Sequence, residues 1–271
     1  VNPLNQQWNS VAAGNAAWLS QAEVAAELNP IHWTYNYYVS TDPLAQGFSI
    51  PPGVSFIPMI YGDSTGAAYG SQYSAGNLVL AQANSSTGEL LTFNEPDHAD
   101  QANMTPAQAA ALWPSIRATG MRISAPTMGT PTLITTPGAW FDQFVTLLGS
   151  PDFDFIPVDQ YYDSALQPDP TIGANAILAN LDAIWEKYHK PIWLKEFAVI
   201  NFTALPSNPS DNTVFEFMQK MVAGLHRRSF VERFSWYRIG PGDADNSQYF
   251  NIATNNVDGS TTGLGRFYKK Q

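Results

Sequence analysis

The chain has 271 residues, with 13 basic against 23 acidic side chains and a net charge of −10. A field of that sign repels phosphate backbones and anionic headgroups, which argues against nucleic-acid and membrane-surface roles, and no apolar run reaches the ~18 residues of a bilayer span. Charged residues make up only 13% and aromatics another 13%, against a usual charged share of about 25%; neutral polar groups and flat rings suit an uncharged, hydroxyl-rich ligand such as a glycan.

In chain order, residues 2–28 are Ala-rich and helix-like, with no convincing strand. Strand patterns follow at Ile31–Val39 and Val54–Tyr61, both rich in aromatic or β-branched residues. Glu89–Phe93 reads as the next strand. Thr105-Pro-Ala-Gln108 is a capping box with Pro at the first helical position, and Gly120 closes that helix. Gly120–Ala125 is a strand, and Thr136-Pro137 opens a helix through Leu148. After strand Phe153–Tyr161, an apolar stripe at Ile172, Ala176, Leu178, Leu181, Ile184, Trp185 and Tyr188 marks a helix. Strand Pro191–Phe197, a second capping box at Thr213-Val-Phe-Glu216 and strand Val231–Tyr237 complete the alternation.

Strand and helix alternate with no shift of composition, which predicts a single α/β domain over residues 1–271 with a parallel sheet. The longer loops follow strands, and the length divides into eight units of ordinary βα size. Both point to a (β/α)8 TIM barrel with its site at the carboxyl ends of the strands. No Gly-rich phosphate loop follows a strand, so a doubly wound nucleotide fold is disfavoured.

Two carboxylates stand out by position. Glu95 lies just past a strand in Leu91–Asp97 (LTFNEPD), with Pro96 ending the ladder. Glu196 ends the strand Ile192–Phe197, where alternation puts Ile192, Leu194 and Glu196 on one face and Trp193, Lys195 and Phe197 on the other. They are expected to end the fourth and seventh strands and to face each other across the barrel mouth. Paired carboxylates over a polar cleft are the apparatus of glycoside hydrolysis: one protonated to assist the leaving oxygen, one ionised. There is no Cys, which removes thiolate metal sites and Cys nucleophiles, and His32, His98, His189 and His226 share no ligand spacing. No metal and no organic cofactor is expected. Trp8, Trp18, Trp113, Trp140 and Trp185 sit in helical patterns and read as packing residues.

An ordered series of motifs resembles glycoside hydrolase family 128. It comprises Trp33-x-Tyr35-Asn36, Phe56-x-Pro58-Met59, Phe93-Asn94-Glu95-Pro96-Asp97, Ser124-Ala125-Pro126, Trp140-Phe-Asp-Gln-Phe144, Phe153-Asp154-Phe155-Ile156, Trp193-x-x-Glu196-Phe197-Ala198, Val231-Glu-Arg-Phe-x-Trp236 and the closing segment at residues 258–265. The resemblance implies a retaining β-1,3-glucanase with Glu95 as acid/base and Glu196 as nucleophile; endo action is the expected mode, though the sequence itself does not distinguish endo from exo cleavage. It places Asn94 on the sugar 2-hydroxyl, Tyr161 as a donor to Glu196, Trp236 as the floor under the reacting sugar, and Tyr35, Asn36 and Tyr61 along the donor side. From the strand pattern alone, Trp236 is open to a core reading, and only one of Tyr161 and Tyr162 can face the cleft. Asp159 stands where the family commonly has His. An acid there either binds glucose hydroxyls or raises the Glu196 pKa. The partner is thus expected to be a β-glucan chain and the protein an extracellular monomer; the start at Val1 without a Met is read as either a removed leader or a trimmed chain. The rival readings are a non-catalytic or exo-acting glucan-binding protein on the same fold and a barrel glycosidase of other β-glycan specificity.

Overall fold

The computed structural model describes residues 8–12, 32–40, 52–64, 70–200, 209–237, 263–268 and 270. Along them run β1 (Trp8–Ala12), β2 (Trp33–Tyr35), β3 (Ser55–Ile57), β4 (Met59–Ile60), α1 (Ala75–Asn84), β5 (Glu89–Asn94) and α2 (Pro106–Arg117). Then come β6 (Arg122–Thr127), a 3-10 turn at Pro131–Ile134, α3 (Trp140–Leu148), β7 (Ile156–Asp159), α4 (Pro170–Tyr188), β8 (Ile192–Phe197), α5 (Asp211–Leu225), β9 (Val231–Trp236) and α6 (Gly263–Tyr268). Trp18, residues 201–208 and residues 258–262 of the closing segment lie outside the described residues.

Every strand pairing is parallel, in a six-stranded sheet ordered β3-β2-β1-β9-β8-β7 and a three-stranded sheet ordered β4-β5-β6. The fold is α/β with parallel sheets, and the single continuous barrel sheet expected from the sequence is divided in two. Prolines sit at both divisions. The predicted strand Val54–Tyr61 is parted at Pro58 into β3 and β4; Pro58 has no N–H to donate, although its carbonyl accepts from Leu91 N at 3.0 Å. Between β6 and β7 only the isolated bridges Ser124↔Phe155 and Met128↔Val158 form, and Pro126 and Pro157 lie in these two strands.

The strand missing from the sequence reading is β1, which makes Trp8 a strand residue rather than a helical one. Trp8–Ala12 (WNSVA) has little local strand signal. It is paired on both edges, Ser10 opposite Trp33 of β2 and Ser235 of β9, and this tertiary pairing outweighs local propensity.

The helices start where their caps allow. Thr105 caps α2 with a reciprocal box to Gln108, and Ala109, Trp113 and Ile116 form its buried stripe. The start expected at Thr213 lies one turn earlier: Ser210 Oγ accepts from Thr213 N at 3.1 Å and caps α5. The helix expected from Thr136-Pro137 begins at Trp140, after the 3-10 turn. In α4 the buried face is Gly173, Ala174, Ile177, Leu178, Leu181 and Ile184, while Ile172 is exposed. The expected stripe is therefore rotated, because Gly173 must sit against the ring of Tyr162, where a Cβ would come within 2.4 Å.

Candidate active site

The chain leaves β5 through a strained turn. Phe93 (φ 33°) and Glu95 (φ 46°) both occupy the left-handed region, which disfavours side chains by roughly 1–3 kcal/mol each. Hydrogen bonds impose this path. Asn94 N donates to Tyr61 O and Glu95 N to Thr127 O, both at 2.8 Å, so the turn is fastened to the ends of β4 and β6. Asp97 clamps the loop after β6, its two carboxylate oxygens accepting from Gly129 N at 2.8 Å and Thr130 N at 2.9 Å. Asn94 is thereby buried and Glu95 is turned into a cleft of about 530 Å³.

At the end of β8 the strand carries an irregularity against both neighbours. Val158 and Asp159 of β7 are adjacent, but their partners Leu194 and Glu196 are not; on the other side the register slips between Leu194 and Phe197. Trp193 and Lys195, two residues apart, share the inward face, opposite to the facing expected, and the bulge brings Glu196 to that side as well. Trp193 packs on Trp33 (5.2 Å) and Phe155 (4.0 Å). Lys195, expected on the opposite face from Glu196, reaches Glu196 Oε1 at 2.9 Å, Asp159 Oδ2 at 2.8 Å and Asn94 Oδ1 at 2.7 Å. Re-aiming a side chain beside a site is a recurrent use of such bulges.

Glu196 is 4% exposed and well donated to. Its Oε1 accepts from Tyr35 OH at 2.7 Å, Tyr37 OH at 3.2 Å and Lys195 Nζ at 2.9 Å, and its Oε2 accepts from Tyr161 OH. Burial alone would raise this carboxyl. The adjacent ammonium and the hydrogen bonds from Tyr161, Lys195 and Tyr35 outweigh it and hold the pKa below the ordinary value. Glu95 goes the other way. Burial first, then the charge of Glu196, push it up to about 7 against a smaller opposing effect of Lys195. Burial and the Glu196 charge also raise Tyr35 and Tyr161 well above the usual phenol range, so both stay protonated as donors.

The expected site residues divide into three groups. Asn94, Glu95, Tyr161 and Glu196 line the cleft together. Tyr35 and Asp159 lie behind it, buried and joined to Glu196 and Lys195. Three are placed elsewhere than expected. Tyr61 is fully buried, its hydroxyl donating to Gln101 Oε1, which also accepts from Asn94 Nδ2 at 3.5 Å. Asn36 spends its amide on its own turn, accepting from Tyr38 N at 2.9 Å and donating to Ser40 O at 3.0 Å. Trp236, expected as the floor, is fully buried against Phe197, Phe217 and Tyr268. Its neighbour Tyr237 lines the cleft instead, edge-on to Tyr161 at 5.7 Å. Of the two adjacent tyrosines after β7, Tyr162 is the packed one, stacked on Phe217.

Sequence reasoning missed Tyr37, Tyr237, Gln101 and Lys195. The first two carried a usable signal, since each lies an even number of residues from an inward-facing side chain, Tyr37 two past Tyr35 and Tyr237 four past Arg233. Gln101 and the inward facing of Lys195, opposite to the parity read at Ile192 and Leu194, had none. Among the described residues no group of three or more His, Cys, Asp or Glu is placed to hold a metal ion.

An acid held protonated beside a carboxylate held ionised, at the carboxyl ends of parallel strands, is the arrangement of a glycoside hydrolase. A family model described as glycosyl hydrolase catalytic core matches residues 11–268. Among solved structures, an endo-beta-1,3-glucanase of family 128 (subgroup I) from Amycolatopsis mediterranei, in complex with laminaritriose, is 30% identical with a TM-score of 0.78. The alignment covers 98% of this chain and 99% of that one. A subgroup II endo-beta-1,3-glucanase from Pseudomonas viridiflava is 28% identical with a TM-score of 0.69, over 97% and 96% of the two chains. A subgroup VII oligosaccharide-binding protein from Cryptococcus neoformans, 20% identical with a TM-score of 0.68 over 98% and 93%, shares the fold. No curated protein matches the chain. The chain belongs to the glycosyl hydrolase catalytic core and, within it, to glycoside hydrolase family 128.

Proposed function

We propose that this protein is a retaining endo-β-1,3-glucanase in which Glu95 is the acid/base and Glu196 the nucleophile. One observation carries the reading: two carboxyls lining one cleft, the first raised to about 7 and the second held below its ordinary value. Glu95 protonates the glycosidic oxygen while Glu196 attacks the anomeric carbon; Glu95 then takes a proton from the water that releases the glycosyl-enzyme. Among the described residues Oε1 of Glu196 accepts from three donors and Oε2 from Tyr161, which leaves Oε2 the less engaged oxygen for attack. Asn94 suits the 2-hydroxyl, because Lys195 occupies its Oδ1 while Nδ2, in long contact with Gln101, keeps a second N–H to donate. The chosen linkage and endo action rest on the family 128 glucanases at 28–30% identity.

The same reading takes the eight parallel strands as one barrel, with β3 and β4 a single staver broken at Pro58, and residues 1–271 as one catalytic domain acting as a monomer. Secretion follows from the substrate, since a polysaccharide chain cannot cross a membrane to meet the enzyme.

The test is the release of reducing ends from linear β-1,3-glucan by wild type, Glu95→Gln and Glu196→Gln, with product lengths and the anomeric configuration of the first product. The expected result is a ladder of short β-configured products and a loss of at least about 100-fold in each variant, the usual contribution of general acid catalysis or more. An α-configured first product would overturn the nucleophile assignment. Oligosaccharide binding without any release would make the protein a binder on a hydrolase frame.

A further inference from the structure

Behind the cleft, one buried cation stands between two buried anions. The Lys195 ammonium lies 2.8 Å from Asp159 Oδ2 and 2.9 Å from Glu196 Oε1, with Asn94 Oδ1 as its third partner at 2.7 Å. Lys195 is fully buried and Asp159 is 1% exposed, so neither water nor salt can replace a lost partner. Apart from that ion pair, neither oxygen of Asp159 has a hydrogen-bond partner among the described residues. The groups facing the cluster are Tyr35 at the end of β2, Tyr37 beyond it, Glu95 just past β5 and Tyr161 from beyond β7. Among the described residues Glu196 thus has four donors, and Asp159 has only Lys195. Burial first, then the charge of Glu196, push the Asp159 carboxyl well above the ordinary range: two carboxylates share one ammonium.

We propose that Asp159 is the second counter-ion of Lys195, taking up the ammonium's charge when Glu196 is consumed as an ester to the sugar and so stabilising the covalent glycosyl-enzyme. The inference rests on the glucanase reading above, with Glu196 as nucleophile. In the first step a Glu196 oxygen bonds to the anomeric carbon, the bond from that carbon to the glycosidic oxygen breaks, and its electron pair leaves on that oxygen, which takes the proton of Glu95. Glu196 then carries no charge. The Glu196 charge that opposes ionisation of Asp159 in the free enzyme is then gone, and ionised Asp159 leaves the cluster of Asp159, Lys195 and the Glu196 ester neutral. With Asn at 159 the cluster passes from no net charge to one uncompensated buried positive charge, the costly state in a low-dielectric interior.

Loss of Asp159 therefore raises the intermediate relative to the transition states on either side, in which Glu196 keeps part of its charge. The two steps must respond with opposite signs: formation slows and hydrolysis quickens. A misplaced nucleophile would slow both. Asp159 acts through Lys195 and Glu196 and is a positioning residue, not a catalytic one.

The experiment treats the full chain with a dinitrophenyl 2-deoxy-2-fluoro-β-laminaribioside and measures inactivation and reactivation rates, with mass spectrometry locating the adduct. Wild type is compared with Asp159→Asn and with Asp159→Asn/Lys195→Met. In Asp159→Asn the ratio of inactivation to reactivation rate is expected to fall by about tenfold or more, equivalent to about 1.4 kcal/mol, with faster reactivation than wild type. The double variant has no cation left to compensate and should return to within about threefold of the wild-type ratio. Reactivation of Asp159→Asn that is unchanged or slower overturns the proposal. If that variant does not fold, as judged by thermal unfolding, the double variant decides: a ratio about tenfold below wild type overturns the proposal, and one within about threefold supports it. Failure to label Glu196 in wild type would sink the nucleophile assignment and this inference with it. Labelled Glu196 with both rates moving in the same direction sinks the counter-ion alone.

Discussion

Glu95 is governed by where the chain leaves it. One residue past β5, in the left-handed region, its carboxyl is turned from water toward Glu196, and its pKa is raised from an ordinary 4.5 to about 7 by burial first and the neighbouring charge second. The rate should therefore have a basic limb: kcat/KM on linear β-1,3-glucan is expected to fall with a midpoint near pH 7, as the acid loses its proton. The same shift affects stability, with a definite sign. The folded state holds this proton more tightly than the unfolded chain, so the contribution is complete below about pH 4.5 and is lost as pH rises through about 7. The shift corresponds to something on the order of 3 kcal/mol. Glu95→Gln cannot ionise and escapes the loss. Urea unfolding should find that variant as stable as wild type at pH 4 and more stable at pH 8. Parallel pH profiles for the two proteins would mean that Glu95 is not desolvated.

At the scale of elements, β9 shows how a strand's parity divides labour. Arg233 points to the face shared with Trp33 and Trp193, while Phe234 and Trp236 point to Tyr268 of α6. Tyr237 returns to the first face and meets the cleft. Trp236→Ala should then cost about 3–5 kcal/mol of stability, the usual range for a buried aromatic, whereas Tyr237→Ala should leave the unfolding midpoint nearly unchanged and raise KM for laminari-oligosaccharides. A weakened KM in Trp236→Ala with unaltered stability would reverse the two assignments. The same strand shows what the sequence made legible. Strand positions, α/β order and the capping box at Thr105 follow from local patterns and lie where those patterns predict. So do Glu95 and Glu196 as cleft residues, because each ends a hydrophobic run. What local pattern could not supply was facing. Trp236 was one residue out of phase, Trp193 and Lys195 face inward with the β8 bulge bringing Glu196 to the same side, and β1 is a strand only because β2 and β9 flank it. Parity errors of this kind arise from partners distant in sequence, which no window along the chain contains.

Across the whole molecule, the two hydrogen-bonded sheets are tied by charge at the end opposite the cleft. Glu89 and Arg122 open β5 and β6 in one sheet; Glu232 and Arg233 lie near the start of β9 in the other. Arg122 bridges Glu89 at 2.8 Å and Glu232 at 2.7 Å, and Arg233 reaches Glu89 at 2.6 Å with its guanidinium 4.2 Å from the centre of the Trp193 ring. Glu89 is 5% and Arg233 7% exposed, so removing one partner strands the other away from water. Arg122 retains Glu232, so the loss falls on the Glu89–Arg233 pair. Glu89→Gln is expected to destabilise the protein by about 3–5 kcal/mol, and Glu89→Met/Arg233→Met by much less, since a buried pair replaced as a unit by apolar groups costs little or nothing. Neither should change kcat per folded molecule: five strand residues at about 3.3 Å each separate Glu89 from Asn94 by roughly 16 Å. Urea unfolding of the single and double variants, with glucan hydrolysis measured on each, separates the two quantities. A cost below about 1 kcal/mol for Glu89→Gln, at the level of an exposed ion pair, would leave the joining of the sheets to apolar packing and the few backbone bridges between them. A fall in kcat with stability intact would mean that the base of the strands is mechanically coupled to Lys195 and the carboxylates above it.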